Sequence, residues 1–218
     1  AKAVQDATGA VGFTARHQIS DFSGWFMDFQ NWAYGYGVDW VDDAGTLTIN
    51  TPEAVAAVTA FQEVYAAGII PVGDDMPTQR TRFKERQVGF SIDNSGGTLN
   101  IASGGALQGS SVLAAPMPFP HPGAHQQIYL SVNSNSDHQE EAIAFLKWLV
   151  GPEGQTELRK ASGPDALATD VPLLDEFVAK NPWAPVFADL AKTSHSVLIP
   201  GFEVETTQIM RPVMEAVE

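Results

Sequence analysis

The carboxylates that could take part in acid–base chemistry are Asp39, Asp42, Asp43, Asp93, Glu203 and Glu205. Hydrolysis of a glycosidic bond needs two acids held a few ångströms apart across it. Asp93 with Glu203 or Glu205 is the pairing to weigh. Asp42 and Asp43 adjoin Ala44-Gly45, a context in which acids cap their own turn. Asp93 follows the apolar run Val88-Gly89-Phe90-Ser91-Ile92 and so falls at a strand end, a frequent ligand position in α/β sheets. A single acid there binds hydroxyl groups as readily as it catalyses. His121 and His125 flank Pro122-Gly123 and read as solvated, while His138-Gln139-Glu140-Glu141 opens a helix, where a cation opposes the dipole. Neither spacing fits a zinc pattern. The phosphate-loop, dinucleotide, nucleophile-elbow and zincin motifs are absent, and nothing calls for a cofactor.

The chain has 218 residues, 12 basic and 26 acidic, for a formal charge of −14. A phosphate backbone is repelled by such a chain unless its basic residues share one face. Arg80, Arg82, Lys84 and Arg86 lie close together, but at helical spacing they point in several directions and read as a solvated face. Nucleic acid is therefore not an expected partner. There is no cysteine, which removes disulfides and thiolate chemistry. No stretch is long and apolar enough to span a bilayer, and the first residues do not show a basic segment followed by an apolar signal core.

The elements that must position these residues alternate between strand and helix, as in an α/β fold. Ala1 to Ala7 reads as the tail of a helix stopped at Thr8-Gly9, and Val11-Gly12-Phe13-Thr14 as a buried strand. Positions 22, 25, 26, 29, 32 and 33 recur at helical spacing, so an aromatic helix should end at Gly35 or Gly37. Val41 to Ile49 has a hairpin pattern. Thr51-Pro52-Glu53 is a strong helix start, with Val55, Val58, Phe61 and Tyr65 directed inward and a stop at Gly68. Ser95-Gly96-Gly97 reads as a tight turn and the Gly/Ser-rich Ser103 to Ser111 as a loop. Val112 to Pro116 and Gln127 to Val132 are expected strands. Ser136 with Gln139 forms a capping box, opening a helix with the apolar face Ala142, Ile143, Phe145, Leu146 and Leu149. A further helix runs from Glu153 to Lys160. The last stretch, Ile209 to Val217, is amphipathic and contains Pro212.

Several fragments stand in a characteristic order: Ser23-Gly24-Trp25-Phe26, Gly35-Tyr36-Gly37-Val38, Asp43-Ala44-Gly45, Asn50-Thr51-Pro52-Glu53-Ala54 and Ile92-Asp93-Asn94-Ser95-Gly96. They continue with Val132-Asn133-Ser134, the run Glu141 to Leu149, and Pro152-Glu153-Gly154-Gln155. In this order the chain resembles the extracellular solute-binding proteins of bacterial ABC importers, of the maltose and oligosaccharide type. The aromatic usual after Asp93 is replaced by Ser95 and Gly96. The resemblance implies an α/β fold of the periplasmic-binding-protein type II class, with two lobes, a cleft and hinge closure. It implies a fragment lacking most of the first lobe. Residues 1–127 would be the first part of the second lobe, 128–178 a segment crossing back to the first lobe, and 179–218 the rest of the second. The strand Ile128 to Val132 would be a hinge crossing.

By the same resemblance the protein captures a sugar or oligosaccharide, performs no catalysis and delivers its solute to a membrane permease. It would be periplasmic or extracellular, anchored as a lipoprotein in a Gram-positive cell. Trp25 and then Phe26 are the expected stacking platforms, since aromatic faces pack on sugar rings. Phe29 and Trp32 belong to the core. Asp93, Asn94, Ser95 and Gly96 offer polar groups at a strand end, and Phe202 and Glu203 follow Pro200-Gly201, a loop implied to reach the cleft. A polyamine or glycerol phosphate is the alternative solute; a phosphate would want arginine, and Arg211 is the arginine expected near the site.

Overall fold

The computed structural model describes residues 1–107, 111–162 and 171–217. Of the expected 103–111 loop, residues 108–110 fall outside the described residues, as do 163–170 of the expected crossing segment and the terminal Glu218. The chain opens with α1 (Lys2–Thr8), stopped by Gly9 at φ 73°, a left-handed conformation that glycine adopts without a Cβ clash. It then enters β1 (Val11–Thr14), which pairs in parallel with β2 (Val88–Ser91), Phe13 opposite Phe90.

The connection between these strands carries α2 (Phe22–Gly35), α3 (Pro52–Ala66) and α4 (Met76–Lys84). Asp21, Thr51 and Asp75 each cap one of these helices by accepting an amide N–H of the first turn. In α2 the aromatic face is buried as its spacing predicts. Trp25, Phe29 and Trp32 pack with Phe61 of α3 and with Met210 and Met214 of α10 (Glu203–Val217) in the main core. On α3 the inward positions are Ala54, Ala57 and Phe61, whereas Val55 is 57% exposed. Small side chains let α3 lie close to α2, a preference that hydrophobicity alone misses. The Val41 to Ile49 hairpin is reduced to one antiparallel bridge, Val41 to Leu47.

After β2 the chain turns directly into α5 (Ser95–Ala102), so the expected tight turn at Ser95-Gly96-Gly97 is a first helical turn. Val112 to Pro116 forms no ladder. Val112 is instead pinned by burial in a second cluster with Ile101, Trp183 and Ala184. Leu173 and Phe177 pack on this cluster beside Phe187, supplied by α8 (Asp175–Lys180) and α9 (Ala184–Leu190).

A short parallel pair, β3 (Ala124–His125) with β4 (His195–Ser196), lies along α2. Three α2 side chains hold it. Asn31 Oδ1 accepts from Ala124 N at 3.1 Å, Tyr34 Oη donates to Ser196 O at 2.9 Å, and Gln30 Nε2 donates to Val197 O at 3.4 Å. Past His125 the chain leaves this support. The expected strand Gln127 to Val132 is irregular, and residues 127–131 are exposed, because apolar alternation makes a strand only where a ladder partner exists. It leads to α6 (Gln139–Val150) and α7 (Pro152–Ser162), which pack on each other. Helix α6 begins at Gln139, later than the capping box at Ser136 indicates: the cap residue is His138, which makes no side-chain cap hydrogen bond, and Ser136 Oγ accepts from His138 N at 3.1 Å instead of from the Gln139 amide. Much of its apolar surface is left uncovered among the described residues: α6 has no buried residue, Ala142, Leu146 and Leu149 are partly buried, and Ile143, Phe145 and Trp148 are exposed.

Candidate functional site

The amide of Ile92 donates to Thr14 O at 3.0 Å, the last rung joining β1 to β2. Beyond it the two chains separate, and the carboxyl ends of parallel strands are where α/β folds leave a crevice. Ala15, Arg16 and His17 follow β1, and Asp93 and Asn94 follow β2. Gln79 of α4 ties the two ends together. It is buried, and its Nε2 donates to Ser91 Oγ and Ile92 O, both at 2.9 Å, and to Thr14 O at 3.3 Å.

Each strand end carries an arginine–carboxylate pair. Arg80 of α4 grips Asp93 with both oxygens engaged, Nε to Oδ2 at 2.7 Å and Nη2 to Oδ1 at 2.8 Å. Asp93 Oδ1 also accepts from Asn94 N at 2.8 Å. Arg16 donates to Asp28 of α2 from its backbone N at 2.6 Å, Nε at 3.0 Å and Nη2 at 2.5 Å. Complete burial pushes the Asp28 carboxyl up more than Arg16 pulls it down, and the nearby Asp93 charge adds to the rise. The two pairs therefore sense each other. A third pair, Arg82 with Asp74, lies further along α4, Nε to Oδ2 at 2.6 Å, and raises the already high pKa of Arg82.

Asn94 caps α5 by accepting from Gly97 N at 2.7 Å, and its own carbonyl accepts from the Thr98 amide at 2.9 Å. The Asn94 residue is exposed, and its Nδ2 has no hydrogen-bond partner among the described residues. A Cβ on Gly97 would fall on the Asp93 carboxylate and on Arg80 Nη2, so only glycine lets the helix start lie this close to the ion pair. The result is a rigid edge of alternating donors and acceptors without net charge at Arg80–Asp93, suited to hydroxyl groups. Both Asp93 oxygens already accept from Arg80, so the carboxylate is committed to that geometry.

Asp93, Asn94, Ser95 and Gly96 are thus brought together at the start of α5. The expected stacking platforms are not with them. Trp25 is 0% exposed, lies against His17 with ring centroids 4.5 Å apart, and donates its indole N–H to Tyr65 Oη at 3.1 Å. Phe26 is buried between Phe22 and Phe29. Both belong to the aromatic face of α2, which starts at Phe22, before Trp25, so no turn projects Trp25 outward. Phe202 is half-buried on the main core and Glu203 is exposed at the first position of α10. Asp42 caps its own turn, accepting from Ala44 N and Thr46 N.

The arginine expected near the site also changes. Arg211 lies over the Phe22 ring at 4.6 Å and pairs with Glu215, whereas Arg80 and Arg16 stand at the strand ends. The run from Arg80 to Arg86 is not merely a solvated face, since Arg80 and Arg82 both hold carboxylates. His125 is half-buried, its Nδ1 3.0 Å from Ser194 Oγ, and is not solvated. Arg80, Arg16 and Gln79 escape a reading of the sequence because their partners lie across a strand or a helix. The one usable signal is an acid at a strand end preceded by a helix bearing arginine.

A family model for bacterial extracellular solute-binding proteins matches residues 1–156. The chain belongs to that family. Its fold is the type II periplasmic-binding-protein fold, and family members are binding proteins that work outside the cytoplasm. Among solved structures this chain is similar to the cyclic alpha-maltosyl-1,6-maltose binding protein from Arthrobacter globiformis, with 20% identity and a TM-score of 0.73 over 100% of this chain and 57% of that one. It is also similar to maltose-bound MalE3 of T. maritima, with 20% identity and a TM-score of 0.72 over 99% of this chain and 57% of that one. UgpB from Mycobacterium tuberculosis in complex with glycerophosphocholine is a third, at 16% identity and a TM-score of 0.63 over 99% of this chain and 60% of that one. The chain thus spans less than two thirds of the length of these structures. No curated protein matches it. Among the described residues no helix is long and apolar enough to cross a membrane.

Proposed function

We propose that this chain forms most of the second lobe of an ABC-importer solute-binding protein that captures a neutral, hydroxyl-rich solute, a sugar or oligosaccharide, and delivers it to a membrane permease. The observation that carries the reading is the charge-paired polar edge at the ends of β1 and β2, where Asp93 is held by Arg80 and Asn94 caps α5. Neutral hydroxyl groups can use such an edge at small cost. A phosphate or a polyamine must first break an arginine–carboxylate pair. The same scaffold in maltose-binding structures supports the sugar reading, while the likeness to a glycerophosphocholine complex keeps that solute in the test. Catalysis by Asp93 with Glu203 gains no support, since one acid is clamped and the other is exposed on a different element.

The exposed apolar surface of Ile128, Tyr129, Leu130, Ile143, Phe145 and Trp148 is, in this reading, the face that meets the first lobe. Tyr129 is 71% exposed, and this many exposed large apolar side chains along 128–148 favour a surface that is covered by another part of the protein. Leu173 and Phe177 already pack with Trp183, which supports a return to the second lobe before residue 173 rather than at 178. The hinge crossings are the ends of β3 and β4.

The experiment is a thermal-shift series on the complete protein with maltose, longer maltooligosaccharides, ribitol, glycerophosphocholine and spermidine. A ligand at a hundred times its Kd stabilises the folded state by about 2.7 kcal/mol, a shift of several degrees. Selective stabilisation by a sugar is the expected result. Stabilisation by spermidine or glycerophosphocholine alone overturns the neutral-solute reading, and labelled glycan converted to product overturns the binding-protein reading.

A further inference from the structure

Resting on the reading that the strand ends touch the solute, we propose that Arg80 sets the charge selectivity of the site: it positions Asp93 and cancels its charge, so that the edge accepts neutral solutes and rejects cations. Asp93 is fixed by Arg80 Nε, Arg80 Nη2 and Asn94 N, and its side chain is only 7% exposed. The grip is bidentate, which only guanidinium geometry provides. No other basic side chain of α4 substitutes for it, because Arg82 is committed to Asp74 and Lys84 lies one turn on, packed against Gly105. Gly97 leaves room for the pair to meet, so the pairing is built into the backbone as well as into the side chains.

The surroundings make this local neutrality consequential. With a formal charge of −14, the field of the chain concentrates cations around it. An unpaired carboxylate at the strand end, largely withdrawn from water and near the Asp28–Arg16 pair, would be a cation site. Arg80 is 22% exposed on its side chain, close enough to the surface to face the solute together with Asp93.

The test compares Arg80→Gln, Arg80→Lys and the double variant Arg80→Gln/Asp93→Asn in the complete protein, by calorimetric titration with spermidine and with maltose, and with circular dichroism to show that each variant folds. The parent should not bind spermidine. Arg80→Gln should acquire spermidine binding that weakens about tenfold or more between low and physiological salt, since it rests on exposed charge. The double variant, which keeps the side-chain shapes without either charge, should lose it again. Arg80→Lys should still reject spermidine, yet weaken maltose about tenfold, because a point charge cannot hold both oxygens. The spermidine readout needs no sugar ligand, so it succeeds or fails separately from the carbohydrate reading. A folded Arg80→Gln that ignores spermidine, or a double variant that binds it as well as the single one, overturns the proposal.

Discussion

Replacing Gly97 with alanine tests the geometry of the site through stability. In a helix interior alanine is favoured over glycine by about 1 kcal/mol, so a substitution into open space should stabilise α5. Here the new methyl group meets the Asp93 carboxylate and Arg80 Nη2. Both are side-chain ends, so the helix can stay in place while the ion pair is pushed apart. Charge-assisted hydrogen bonds contribute about 1.5–3 kcal/mol, and losing one outweighs the propensity gain. Gly97→Ala should therefore destabilise the protein by about 0.5–2 kcal/mol, read as a lower urea midpoint at unchanged slope. In an Asp93→Ala background the carboxylate, the nearer of the two contacts, is gone. There the same substitution should stabilise by about 0.5–1 kcal/mol, which gives a coupling of about 1–3 kcal/mol between positions 93 and 97. If Gly97→Ala has the same sign and size in both backgrounds, the close approach of helix and ion pair is not what Gly97 serves, and the reasoning is wrong.

Phe61→Ala should cost about 3–5 kcal/mol, because Phe61 is wholly buried against Phe29 and Trp32 and its loss leaves a cavity between α2 and α3; denaturant unfolding checks this. Val55→Ala on the same helix should change stability by less than about 0.5 kcal/mol, since Val55 is exposed. Burial and the nearby Asp39 push the Tyr34 phenol up to about 12, above its ordinary value of 10. The folded pKa is the higher one, so this contribution is fully present below pH 10 and is lost as pH rises to about 12; Tyr34→Phe should remove that part of the alkaline slope in pH-dependent unfolding. Gly154→Ala should loosen the junction of α6 and α7, because its Cβ would meet the backbone at Trp148 O and Leu149 Cα, and rising hydrogen exchange confined to residues 147–156 would reveal it.

Local signals were legible. Thr51-Pro52 starts α3, Gly9 ends α1, and the aromatic spacing of α2 buries the residues it indicates. What failed depends on partners far away in the chain. Gln127 to Val132 has the alternation of a strand but nothing to pair with, and Val112 is held by one buried side chain and not by a ladder. The same limit applies to the site. Asp93 and Asn94 could be picked out because polar residues directly after an apolar strand run are a local pattern, although the helix start that follows them reads as a tight turn. Arg80 could not, since it reaches Asp93 from the helix before β2. Trp25 misled because an aromatic near a glycine reads as exposed, whereas the helix begins early enough to turn its indole toward His17 and Tyr65.

The contact between α2 and the two crossing strands constrains how a two-lobed protein built on this chain can move. Asn31, Tyr34 and Gln30 fix Ala124, Ser196 and Val197 to a helix that also forms the main core, and His195 is stacked on Tyr34 at 4.7 Å. Bending within β3 or β4 would break several buried hydrogen bonds together, whereas bending beyond His125 breaks few, because residues 126–131 are exposed and irregular. Hinges form where a few residues can absorb a change of backbone angle cheaply. In the two-lobed protein proposed above, the pivot on this side would fall immediately after His125, earlier than the Ile128 to Val132 crossing that the family resemblance implies. Under that proposal the strand ends that hold Arg80 and Asp93 would move with α2 as one body, and closure would bring a second surface to an edge that is already assembled.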